Sequence, residues 1–181
     1  MDIERMQEIE KRANSILESV NYIDNKDSID VVEVAKKLGF VVGNAGLEDD
    51  IDGFIIVEEG KPHILNINTD KLIGVNALKE LPWKRFIVAH EIGHYVLHYD
   101  RLKDNGMFAH REHRKGKSEK ENEADFFAAN LLMPRKKFMD KYNELQEKGL
   151  SLDDMILLMA DKFLVTQPMA RRRFEELGII E

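Results

Sequence analysis

His90, Glu91 and His94 stand in the order His-Glu-x-x-His inside the run Phe86-Ile87-Val88-Ala89-His90-Glu91-Ile92-Gly93-His94-Tyr95-Val96-Leu97-His98. An α-helix turns about 100° per residue, so positions i and i+4 share one face, a turn apart. The imidazoles of His90 and His94 can therefore meet at one metal ion. Glu91 sits beside that pair and can take a proton from a metal-bound water without being a ligand itself, the division of labour that zinc hydrolysis requires. Chance occurrence of so short a motif in a Glu-rich chain is the competing explanation. Its setting argues against chance. Ile87, Val88, Ile92, Val96 and Leu97 predict a helix buried on most sides, where bare imidazoles are costly and a Zn²⁺ ion would satisfy two at once.

A catalytic zinc takes three protein ligands and keeps one position for water. The chain has no Cys, so the third donor must be His or carboxylate. The stretch from Glu119 to Leu132 predicts a second helix, with Glu121, Glu123 and Asp125 near its start. Glu121 and Asp125 are i and i+4 and share a face, whereas Glu123 points about 160° away from Glu121. Ala124 and Ala128 are small enough to let two helices approach closely. This favours Glu121 as the third ligand, with Asp125 accepting a proton from the outer nitrogen of a liganding His. Glu123 is the alternative ligand. The bland reading of all three is an exposed acidic first turn, favoured by the helix dipole. His98 is i+4 from His94, on the metal side, and can donate to a substrate or simply pack. Tyr95 points elsewhere. His63, His110 and His113 read as surface histidines.

Several elements must position these residues. The chain has 181 residues, 43% hydrophobic and 34% charged, which suits one soluble domain with a full core. A division into a metal-binding core over 1–134 and a C-terminal helical segment over 135–181 is expected within that single domain. Its net charge of −7 disfavours general nucleic-acid binding. No apolar run is long enough for a bilayer, and the N-terminus lacks a signal-peptide pattern, so the cytoplasm is the expected compartment. Apolar spacing from Ile3 to Val20 predicts a first helix, and Asp30 opens a second that Gly39 stops. Phe40-Val41-Val42 is a short strand candidate. Gly53–Val57 and His63–Asn68 are expected to form a hairpin, with Ile64–Asn68 as an edge to which an extended substrate could add. Thr69–Glu80 reads as irregular, and Asp100–Lys120 as a basic loop. Pro82 suits the first turn of the metal helix. Met133-Pro134 ends the second metal-site helix. Further helices follow from Pro134, from the Ser151 capping box and from Thr166. Arg171-Arg172-Arg173 lies in the last of these. It reads as the solvated face of a helical cap, with DNA contact as the weaker alternative.

Two long stretches resemble one family. Arg85–His98 is similar to the metal helix of the ImmA/IrrE metallo-endopeptidases, and Glu121-Asn122-Glu123-Ala124-Asp125-Phe126-Phe127-Ala128-Ala129-Asn130-Leu131-Leu132-Met133-Pro134 resembles that family's second signature. Asp30–Gly39, the Gly53–Val57 strand and Phe163–Leu177 are similar too, so the resemblance covers most of the chain. It implies an α+β, zincin-like fold, with helices packed on a small, mostly antiparallel sheet and a C-terminal helical segment. The metal lies between two helices. The family's third ligand stands thirteen residues before the Leu-Leu-Met-Pro proline, which here is Glu121. Asp125 stands where family members often have Asn. The resemblance also implies one Zn²⁺ per chain and a regulatory intracellular protease whose substrate is a helix-turn-helix repressor. The rivals are a zinc-binding regulator that does not cut, which an intact Glu91 opposes, and a DNA-binding protein using the C-terminal helices.

Overall fold

The computed structural model describes residues 1–22, 26–58, 64–65, 67–100, 106–111 (backbone only) and 118–180. The first helix, α1 (Ile3–Ser19), begins where the Asp2 carboxylate accepts from the Arg5 amide. Asp30 caps α2 (Val31–Lys37) in the same way, and Gly39 ends it at φ 90°, a conformation that favours glycine. Four strands follow in part: β1 (Val41–Ala45), β2 (Ile51–Val57), β3 (Lys71–Asn76) and, after α3 (Leu81–His98), β4 (Gly106–Arg111). The chain then continues as α4 (Glu119–Leu132), α5 (Arg135–Gln146), α6 (Leu152–Phe163) and α7 (Gln167–Glu176). This is the expected α+β architecture. No helix among the described residues is long and apolar enough to cross a membrane.

The strands lie in the order β1-β3-β2-β4. Both pairings of β2 are antiparallel, and β1 runs parallel to β3. Side chains alternate across the sheet as a two-residue period requires. Ile55, Val57, Ile73 and Val75 join the main core under the helices, whereas Ile56 and Leu72 form a small cluster on the opposite face with Ile64.

Two expectations are corrected here. The partner of β2 is Lys71–Asn76, from the stretch read as irregular, and not His63–Asn68. Gly74 suits this pairing. It stands opposite Phe54, and a Cβ there would fall 2.2 Å from the Phe54 ring, so the ring occupies the space that the glycine leaves. Leu65 turns at φ 49°, which breaks the other candidate, and Ile64 and Ile67 make only an isolated bridge. Of Ile64–Asn68, the described residues Ile64, Leu65, Ile67 and Asn68 lie in none of the sheet's strands, and β1 and β4 are the outer strands. The basic loop also contains regular structure, because residues 106–111 form β4 against β2. His110 lies on that strand, and His63 and His113 lie outside the described residues.

The C-terminal helices share the main core through Met155, Met159, Phe163 and Phe174. Arg173 is not solvated, contrary to expectation. It is 1% exposed, and its guanidinium donates to Asn130 Oδ1 (2.8 Å) and the Met133 carbonyl (3.1 Å), tying α7 to the end of α4. A buried arginine needs such acceptors, since an unpaired one would be very costly. Arg171 and Arg172 do sit outside, paired with Asp153 and Glu176.

Candidate metal centre

The site forms where α3 and α4 pack together. Gly93 permits the close approach. A Cβ at that position would lie 3.1 Å from the Phe127 ring and 3.2 Å from the Ala124 backbone. With α4 this near, Glu121 faces the two histidines of α3. His90 Nε2 is 3.0 Å from His94 Nε2, and the Glu121 carboxylate reaches them at 3.2 Å and 3.3 Å. One ligand atom from each of the three residues lies within 4.8 Å of the others. This is the trio expected from the spacing, and it forms a candidate metal site.

Asp125 lies one turn beyond Glu121. Its carboxylate Oδ1 is 3.0 Å from His90 Nδ1, the nitrogen turned away from the trio. Burial alone would lower the His90 imidazole, but hydrogen bonds to Asp125 and Glu121 outweigh it and lift the ring to about 9. Burial alone would likewise raise Glu121. The two imidazoles overcome that and hold its carboxyl well below the usual range. The pocket thus favours negative oxygen beside positive nitrogen, a polarity that suits a cation in place of the proton.

Glu91 is 1% exposed and lies under β2 beside Gly53, whose missing side chain lets Ile87 and the β3 backbone approach. A Cβ on Gly53 would meet Ile87 at 2.5 Å and lie 3.6 Å from Glu91 Oε1. Tyr95 points away from the site, as expected: its hydroxyl accepts from Lys71 Nζ at 2.9 Å, and its ring packs edge-on against Phe40. On the Asp125 side, a cavity of about 360 Å³ opens between α3, α4 and α7, lined by Trp83, Phe86, Ala129, Met133 and Met169.

His98 and Glu123 were placed less well by sequence. His98 Nδ1 is 3.0 Å from His94 Nδ1, and its Nε2 is 2.9 Å from Glu123 Oε2. Glu123 is itself gripped by Arg5 of α1, at 2.7 Å through Nε and 2.6 Å through an outer nitrogen. The Arg5 guanidinium, more than His98, holds the Glu123 carboxyl down at about 2, and burial keeps His98 below the ordinary histidine value despite Glu123. Glu123 does face away from Glu121, but that second face of α4 is buried against α1. Helical spacing could locate the face and could not say what covered it. The available signal was an Arg on the first amphipathic helix, with no register to connect it to residue 123.

Comparison with known protein families matches residues 50–175 to Peptidase_M78, the IrrE N-terminal-like domain. No curated protein matches the chain.

Proposed function

The chain belongs to the Peptidase_M78 family of IrrE N-terminal-like metallopeptidases, and from that premise we propose that it is a zinc-dependent endopeptidase. The observation that carries the proposal is the convergence of His90, His94 and Glu121 within 4.8 Å. Two imidazole nitrogens and one carboxylate are a donor set that Zn²⁺ accepts readily, and they leave room for a fourth partner. His90 and His94 would hold the ion through Nε2 and Glu121 through its carboxylate, one ion per chain. When bound, Zn²⁺ supplies Lewis-acid chemistry, activating water and polarising the carbonyl of the bond to be cut.

The chain's own residues do the rest. Glu91 accepts the proton of the attacking water and passes it to the leaving amine, so one carboxylate serves as base and then as acid. Its burial under β2 excludes bulk solvent, which strengthens the electrostatic interactions of that carboxylate. Asp125 accepts from His90 Nδ1 and fixes that ring's tautomer, leaving the Nε2 lone pair for the metal. Residues 1–134 carry the centre, and 135–181 act as a helical cap within the same domain.

The substrate class proposed is a helix-turn-helix repressor, cleaved in the cytoplasm. The resemblance of Arg85–His98 and Glu121–Pro134 to the ImmA/IrrE proteases supports it. Direct DNA binding through the last helix is disfavoured, because the Arg173 guanidinium is engaged inside the protein. Incubating the zinc-loaded protein with the helix-turn-helix protein encoded beside it should yield defined fragments by mass spectrometry. A chelator should abolish them and added zinc restore them. An intact substrate under all conditions, with zinc retained, would favour the non-cutting regulator.

A further inference from the structure

We propose that His98 is a positioning residue. It fixes the ring of His94 through a hydrogen-bonded line, His94–His98–Glu123–Arg5, that anchors the metal centre to α1. The inference rests on the reading above, in which His94 offers Nε2 to the metal.

Hydrogen-bond direction makes the case. His94 Nε2 faces His90 and Glu121; with the metal on that nitrogen, the ring proton sits on Nδ1. That N–H then has His98 Nδ1 as its acceptor, 3.0 Å away. His98 must then be unprotonated on Nδ1 and carry its proton on Nε2, which donates to Glu123 Oε2 at 2.9 Å. Reversing the line would aim a bare imidazole nitrogen at a carboxylate. A doubly protonated His98 would set two N–H groups head to head. With the metal on His94 Nε2 and Glu123 ionised, one arrangement of protons satisfies every bond.

Each member comes from a different place. His98 is the last residue of α3, Glu123 lies on the buried face of α4, and Arg5 stands in the first turns of α1. Arg5 approaches as a fork, Nε to Oε1 at 2.7 Å and an outer nitrogen to Oε2 at 2.6 Å. Two parallel bonds fix the carboxylate plane as well as its position. His94 therefore inherits its orientation from helix packing, including a helix that precedes the family-matched residues 50–175. Neither His98 nor Glu123 needs to touch substrate in this role.

The test uses the full chain loaded with Co²⁺ or Zn²⁺. Nitrogen-15 NMR of the zinc form should show His94 protonated on Nδ1 and His98 on Nε2. His98→Phe keeps bulk but removes both nitrogens. It should weaken Zn²⁺ binding about 10- to 100-fold and alter the visible Co²⁺ spectrum. Glu123→Gln should weaken binding in the wild-type background and add nothing in His98→Phe, because it acts through His98. Arg5→Ala, on the more accessible helix, should give a smaller loss of the same kind and should also be silent in His98→Phe. His98 protonated on Nδ1, or unchanged affinity and cobalt spectrum in folded His98→Phe, would overturn the proposal. Additive losses from Glu123→Gln and His98→Phe would also overturn it. Failure of the wild type to bind either metal, or full binding by His94→Ala, would instead strike the metal-site reading and take this one with it.

Discussion

The two histidines of the centre are supported in different ways. His90 is backed by Asp125 directly, at 3.0 Å, and Asp125 comes from the same helix that supplies Glu121. His94 is backed by another histidine, then by Glu123, then by Arg5 on a third helix. The first support is local: ligand and partner are one turn apart on α4, so any packing that delivers Glu121 also delivers Asp125. The second depends on how α1 lies across α4. Ring orientation at His90 should therefore be the more robust, and that at His94 the more sensitive to tertiary packing.

The largest effects should fall on the ligands themselves. His90→Ala, His94→Ala or Glu121→Gln should each reduce Zn²⁺ affinity by more than about 100-fold, beyond the loss ordinarily produced by a supporting residue. Metal analysis after dialysis reads this directly. Zinc retained at full stoichiometry in the His90→Ala, His94→Ala double variant would place the metal elsewhere.

The supports come next. Asp125→Ala removes the carboxylate that faces His90 Nδ1 and should cost about 10- to 100-fold in affinity. Asp125→Asn keeps an acceptor oxygen and should cost less than about tenfold. Competitive titration against a chromophoric chelator separates the two. If Glu123→Gln proved more damaging than Asp125→Ala, the ranking of the two flanks would be inverted.

Acidity offers a smaller, graded effect. In the metal-free protein His90 is lifted to about 9, so at neutral pH an entering metal must displace its proton. Apparent affinity should rise between pH 7 and 9, by up to about tenfold per unit for one proton released, and flatten above. Asp125→Ala removes one of the hydrogen bonds that lift His90 and should move this rise to lower pH. A rise unmoved by Asp125→Ala would mean that another group controls it.

The smallest effect on the centre should come from the join between α7 and the C-terminal end of α4. Arg173→Met leaves Asn130 and the Met133 carbonyl without their buried donor and should lower stability by about 3 kcal/mol. Denaturant unfolding measures that loss. Zinc affinity of the folded variant should stay within about twofold, as expected for sites that share no partner. A large loss of zinc would show that α7 shapes the centre.

Much of this architecture was legible because helical periodicity is local. His90, His94, Glu121 and Asp125 follow from i, i+4 spacing on two helices, and the caps at Asp30, Ser151 and Thr166 follow from residue chemistry. The parts that escaped depend on distant partners. Lys71–Asn76 pairs with β2, with Gly74 beneath Phe54, a contact across strands that local pattern does not reveal. Strand β4 hid in a basic segment because its pairing with β2 spans a long separation in sequence. Arg173 looked like one of three surface arginines until α4 supplied its acceptors. Arg5 and Glu123 are 118 positions apart, with nothing local to join them.

The central claim is that metal and Glu91 together cut a peptide bond. Glu91→Gln keeps the shape of the side chain and leaves the ligand trio intact, but removes the carboxylate that moves the proton. With a helix-turn-helix repressor as substrate, zinc content and cleavage should be measured side by side in the wild type and this variant. The account predicts equal zinc, about one ion per chain, with cleavage in the wild type lowered at least about 100-fold in Glu91→Gln. Equal cleavage by both proteins at equal zinc would contradict it.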